Sequence, residues 1–183
     1  MLLYALEGEG ATGSKHLDNI TPCLLGGITM ALPKSQKQIP YYKNLKVLII
    51  HQDVEILTSQ SRKVLDTKLS VKQHLKQSQA LVSLIKGLEY KGIFTENNHL
   101  ISEGLKDVII EPLRKSNIPN FDVIKKSLSP LSLGGGISGS GPSMFFLYLP
   151  EQEVELKKAV KKLDKLNLNI FWEQINSRGA EIL

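Results

Sequence analysis

Apolar positions along this chain fall into two spacings, and the spacings predict its elements. Ile28 to Leu32 and Leu45 to Ile50 are short, mostly apolar runs, the second rich in β-branched residues, and each predicts a strand. Thr58 or Ser59 caps a predicted helix carrying Arg62, Val64 and Leu65. Over residues 70–88, Val71, Leu75, Leu81, Val82, Ile85 and Leu88 recur at helical spacing, with the small Ser78 on the same face. Glu103 to Lys115 predicts a helix, and Ile118-Pro119 starts another that runs to about Leu128. A glycine turn from Leu133 to Ser143 leads into a strand at Met144–Leu149. Val154, Leu156, Ala159, Val160, Leu163 and Leu166 mark an amphipathic helix, and Asn167 to Trp172 a last strand. Strand, helices, glycine turn, strand, helix, strand fits an antiparallel sheet with helices on one face, an α+β sandwich. No period of 20–50 residues recurs, which argues against repeat architectures.

The first forty residues read differently. Met1 to Leu6 looks like a helix end, followed by a small-residue stretch from Glu7 to Ser14. Asp18 or Asn19 caps a short predicted helix that stops at Gly26-Gly27. Pro33 to Lys43 is polar with two prolines and reads as a linker or surface loop. The domain expectation is therefore a leading segment, 1–43, and a self-contained domain, 44–183.

Composition narrows the function classes. At 183 residues, 42% hydrophobic and 22% charged, the chain is an ordinary globular one rather than a disordered one. Its apolar runs are too short to cross a bilayer, and its start lacks the basic flank of a signal peptide. One cysteine, Cys23, cannot form an internal disulfide, so a cytoplasmic location is expected. The net charge of +5 could point to nucleic acid, but 20 of the 23 basic residues are lysine and they are spread along the chain. Nucleic-acid readers favour clustered charge and arginine, so that function is disfavoured. Aromatic residues at 6% offer few bases a stacking platform. The three arginines, Arg62, Arg114 and Arg178, stand out because the chain otherwise uses lysine.

Three groups of residues could carry chemistry. Glu7 and Glu9 with His16, Asp18 and Asn19 could hold a metal or an ammonium group, or could simply cap a helix. Arg62 and Arg114 offer planar forks suited to a carboxylate, or surface salt bridges. Gly134 to Pro142 lets backbone amides approach an anion, or forms a plain hairpin turn. It lacks the lysine of a Walker loop and does not fit the dinucleotide fingerprint.

In this order these segments resemble the C-terminal part of homoserine kinase, of the superfamily that includes galactokinase, mevalonate kinase and phosphomevalonate kinase. The residues that carry the resemblance are Gly13–Gly27, with its His-Leu-Asp-Asn core, Thr58-Ser-Gln-Ser-Arg62, Asp107–Arg114, Ile118–Asp122, Ile137–Ser143 and the tail Ile175–Leu183. The resemblance implies a C-terminal ferredoxin-like sandwich behind a remnant of an N-terminal kinase domain. It implies ATP-dependent phosphorylation of the side-chain hydroxyl of L-homoserine, with Mg2+, in threonine biosynthesis. It also implies roles: Asp18 for the substrate's ammonium group, Arg62, Arg114 and His16 for its carboxylate, and Asn19 near the reacting hydroxyl. Glu9, with Glu7 as the alternative, would serve the metal. Gly136, Ser138, Gly139, Ser140 and Gly141 would support the phosphate site.

The family's main phosphate loop, of the Pro-x-x-x-Gly-Leu-Gly-Ser-Ser type, does not occur in these 183 residues. The expectation is a chain with substrate anchors but no ATP cradle, inactive alone and requiring a complementary N-terminal fragment. The alternative is a non-catalytic truncated homologue that binds a small molecule or dimerises. The family resemblance further implies a homodimer, with no nucleic-acid or membrane partner.

Overall fold

The computed structural model describes residues 2–11, 16–32, 34–56, 67–89 and 94–181. The chain divides into two compact units. The first holds the described residues up to Tyr42 together with those from Ile175 onwards, and the second runs from Lys43 to Gln174. The tail, which the sequence assigns to the second domain, thus groups with the first.

The first unit holds helices α1 (Leu2–Ala11) and α2 (Leu17–Leu25), then strands β1 (Ile28–Leu32) and β2 (Ser35–Ile39). The helix predicted to end at Leu6 continues through the glycines to Ala11. β1 and β2 pair antiparallel, with Ile28 opposite Ile39 and Leu32 opposite Ser35. The middle of the segment read as a linker or surface loop, Ser35–Ile39, is therefore a strand. Its polar alternation, Ser-Gln-Lys-Gln-Ile, concealed it, because only Ile39 is buried. Gly26 and Gly27, both at positive φ, stop α2 as expected. Gln38 donates to the carbonyls of Leu25 and Gly26 at 2.6 and 3.1 Å, which satisfies the helix end.

The second unit is built on β3 (Lys46–His51), β4 (Gly134–Ile137), β5 (Met144–Tyr148) and β6 (Asn169–Gln174). They form one antiparallel sheet in the order β4-β5-β3-β6. With helices after the first and third of these strands, this is the ferredoxin-like βαββαβ arrangement. β4 lies within what the sequence read as a glycine turn. Three consecutive glycines have no side chains to show a period of two, so pairing with β5 alone reveals the strand.

The helices are α3 (Val71–Glu89), α4 (Phe94–Gly104), α5 (Ile110–Arg114), α6 (Phe121–Leu128) and α7 (Glu153–Lys161). α6 and α7 cover one face of the sheet. Phe121, Ile124 and Leu128 of α6 and Leu156 and Val160 of α7 join Leu48, Ile50, Met144, Phe146 and Tyr148 in one buried cluster. The sheet residues in it alternate along their strands, which is the period that the pleat requires.

Two helical expectations need correction. The predicted helix Glu103–Lys115 is two helices. α4 ends at Gly104, and Asp107 Oδ1 accepts the N–H groups of Ile109 and Ile110 at 2.9 and 2.8 Å, starting α5 anew. α3 has the predicted period, but most of the large apolar side chains that mark it are not buried. Its small side, Ala80 and Gly87, packs on α4, where a Cβ on Gly87 would meet Ile101 at 2.8 Å. The larger side chains Val71, Leu75, Leu81 and Val82 are exposed, Val71 at 76%. The helix predicted after Thr58 lies outside the described residues.

Candidate functional site

In the first unit, α2 presents the acidic and amide group. His16 occupies the N-cap position with extended backbone, φ −119° and ψ 134°, and no side-chain cap is formed. The cap expected at Asp18 or Asn19 therefore lies earlier, and both residues sit in the first turn. His16, Asp18 and Asn19 are exposed, while Ile20 and Thr21 on the other side of α2 are buried. A carboxylate in a first helical turn is favoured by the helix dipole. Its exposure turns it to solvent. Glu9 lies on α1, half-buried, and Glu7 is exposed.

In the second unit, the chemistry gathers at the turn between β4 and β5, residues 138–143. The Ser138 N–H donates to the Ser143 carbonyl at 2.9 Å, and the Gly141 N–H donates to the Ser138 carbonyl at 3.0 Å. Gly139 and Gly141 have φ of +59° and +84°, which side-chain-bearing residues seldom adopt. At Gly141 space is also short, since a Cβ there would lie 2.8 Å from Ile118 Cδ1. The peptide bond between Gly141 and Pro142 is cis.

Two charged or polar side chains hold this turn. Arg114, at the end of α5, donates from Nη1 to the Gly139 carbonyl at 2.8 Å. His51, the last residue of β3, shares a hydrogen bond with the Ser143 hydroxyl, Nδ1 to Oγ 2.9 Å. Nearby, Lys125 Nζ pairs with Glu111 Oε2 at 2.6 Å and also donates to the Gly135 carbonyl. That pair lines a cleft of ≈ 470 Å3 together with Leu105, Asp107, Ser129 and Gly134.

Of the residues singled out in the sequence, the structure brings Arg114 to the glycine turn and places His16, Asp18 and Asn19 side by side on α2. The two groups belong to different units. Arg62 lies outside the described residues. His51 and Ile118 as braces of the turn, and Lys125 beside β4, were not foreseen as site residues. A histidine ending a β-branched run was the one visible signal for His51.

Mg2+ is bound by one or two carboxylates with phosphate oxygens rather than by an all-protein cage. Among the described residues there is no group of three or more metal-ligating side chains. A single glutamate such as Glu9, or Glu7, fits that sparse mode. Among the described residues no helix is long and apolar enough to cross a membrane.

Comparison with known proteins places these features in a lineage. Residues 84–166 match the family GHMP kinases C terminal. A homoserine kinase from Chlorobium phaeobacteroides is 34% identical over 98% of this chain, which spans 58% of that protein. The crystal structure of homoserine kinase from Cytophaga hutchinsonii superposes with a TM-score of 0.87 at 34% identity, over 100% of this chain and 59% of that one. A mevalonate kinase structure shares the fold, with a TM-score of 0.68 at 17% identity over 92% of this chain and 53% of its own. The chain thus spans somewhat under three fifths of the proteins it matches along nearly its whole length. It is similar to homoserine kinases along nearly its whole length, and its residues 84–166 match the C-terminal region of the GHMP kinases.

Proposed function

We propose that this chain supplies the substrate-anchoring part of an ATP-dependent homoserine kinase. The single observation that carries the reading is Arg114 reaching the glycine turn, 25 residues away in sequence. A fork suited to a carboxylate is thereby joined to the loop that the family resemblance assigns to the phosphate side. The identity of 34% to homoserine kinases across the whole chain supports the substrate.

L-Homoserine is a zwitterion and needs one anionic and one cationic anchor. Asp18 holds its ammonium group, and Arg114, Arg62 and His16 hold its carboxylate. Asn19 stands by the side-chain hydroxyl. That hydroxyl oxygen attacks the γ-phosphorus of ATP, the bond from the γ-phosphorus to the bridging oxygen breaks, the hydroxyl proton leaves to solvent, and ADP departs. Phosphoryl transfer depends on positioning and charge neutralisation, so no strong base is required among these residues. Glu9, or Glu7, holds Mg2+, which when bound neutralises charge on the phosphates. Gly136, Ser138, Gly139, Ser140 and Gly141 support the phosphate side.

The Gly-Leu-Gly-Ser-Ser cradle is not among these residues. In this reading turnover needs such a cradle together with these residues. A homodimer and a cytoplasmic setting for threonine synthesis belong to the same reading. The second reading is a non-catalytic domain that binds a small molecule or dimerises, using the same anchors. An ADP-release assay on the chain with and without an N-terminal fragment of a related homoserine kinase separates them. Homoserine-dependent release with the fragment, and none without it, supports the kinase. Release that ignores homoserine would defeat it.

A further inference from the structure

The glycine turn is held unevenly. Its Ser143 end is tied to β3 through His51, and Gly141 packs against Ile118. The tip is different. Gly139 and Ser138 are exposed, and a Cβ on Gly139 would meet nothing within 4 Å. The tip has no packing to hold it, and a hydrogen bond from Arg114 reaches its carbonyl.

We infer that Arg114 is a clasp as well as an anchor: it positions the glycine turn, and filling the amino-acid site tightens residues 138–141 through the same guanidinium. The coupling part rests on the homoserine reading above; the clasp does not. A guanidinium is one rigid plane with five donors, so a carboxylate that grips it fixes the orientation of the donor already on Gly139. Binding at one end of the plane then reduces motion at the other. The turn's own bond, Gly141 N–H to the Ser138 carbonyl, spans the clasped residue and reports its state. A substrate lacking the carboxylate would leave the turn loose, so the arrangement couples recognition of the amino acid to order on the phosphate side.

Residue-resolved amide exchange by NMR on the 183-residue chain tests both parts. In the ligand-free chain, Arg114→Met should speed Gly141 exchange about three- to tenfold, as for loss of one ordinary hydrogen bond. Arg114→Lys should restore part of the protection. Thermal unfolding followed at Trp172 should be unchanged in both. L-Homoserine should slow Gly141 exchange about twofold or more in the wild type and not in Arg114→Lys, because an ammonium has no plane to transmit orientation. 3-Amino-1-propanol, which lacks the carboxylate, should have no effect. An unchanged Gly141 rate in Arg114→Met overturns the clasp. Homoserine that binds without slowing Gly141 overturns the coupling. Homoserine that does not bind at all counts against the substrate reading, and the ligand-free comparison then decides the clasp alone.

Discussion

Arg114 was chosen in the sequence for its chemical type, since a lysine-rich chain has spent an arginine there. The structure gives that choice a location, 2.8 Å from the Gly139 carbonyl. In an assembly that binds homoserine, Arg114→Lys should weaken binding by about 1.5–3 kcal/mol, the worth of a charged hydrogen bond, in a calorimetric titration. Gly141 makes a second residue-level test. Gly141→Ala must accept φ +84° and a 2.8 Å approach to Ile118. It should cost about 1–3 kcal/mol in urea unfolding. Ile118→Val in the same chain should recover the steric part and leave the backbone strain. Nothing in the sequence announced Ile118 or His51 as partners of the turn. Their role depends on strand order and on the path from α5 to α6, which local spacing does not encode.

At the scale of elements, strands with β-branched or aromatic side chains were legible, as β3, β5 and β6 show. The polar β2 and the all-glycine start of β4 were not, because their pairing partners, not their side chains, make them strands. α3 shows a subtler failure. Its period was right, but small Gly87 faces α4, while Val71, Leu75, Leu81 and Val82 face solvent and Leu88 is buried. Leu75→Ala should therefore change stability by only about 0.5 kcal/mol, whereas Ile101→Ala, fully buried in α4, should cost about 2–5 kcal/mol. Comparable costs for the two would contradict the observed packing. Electrostatics links β3 to α7. Hydrogen bonds from Lys157 and then Lys46, at 2.6 and 2.7 Å, lower the Glu153 pKa from 4.5 to about 2. A depressed carboxylate stabilises the fold above its unfolded pKa, and the contribution is lost as pH falls from about 4.5 to about 2. Trp172, the single tryptophan, stacks edge-on to Tyr148 at 5.6 Å and reports on this unit. Acid titration of Trp172 fluorescence should show a stability slope over that window in the wild type, and a shallower one in Glu153→Gln.

For the whole molecule, the α+β class and its one-sided helical layer followed from element order, and the likeness to homoserine kinases from motifs scattered over nearly the entire chain. The fate of the tail did not, since grouping Ile175 onwards with the first unit requires tertiary structure. The proposed function requires that anchors distant in sequence serve a single amino acid. Arg114 and His16 are its opposite ends in the chain, so their NMR resonances in the presence of L-homoserine test it most directly. The account predicts that L-homoserine shifts the Arg114 guanidinium and His16 imidazole signals with one common affinity, and that 3-amino-1-propanol does not. Unshifted signals at either residue, or equal shifts with the carboxylate-free analogue, would contradict it.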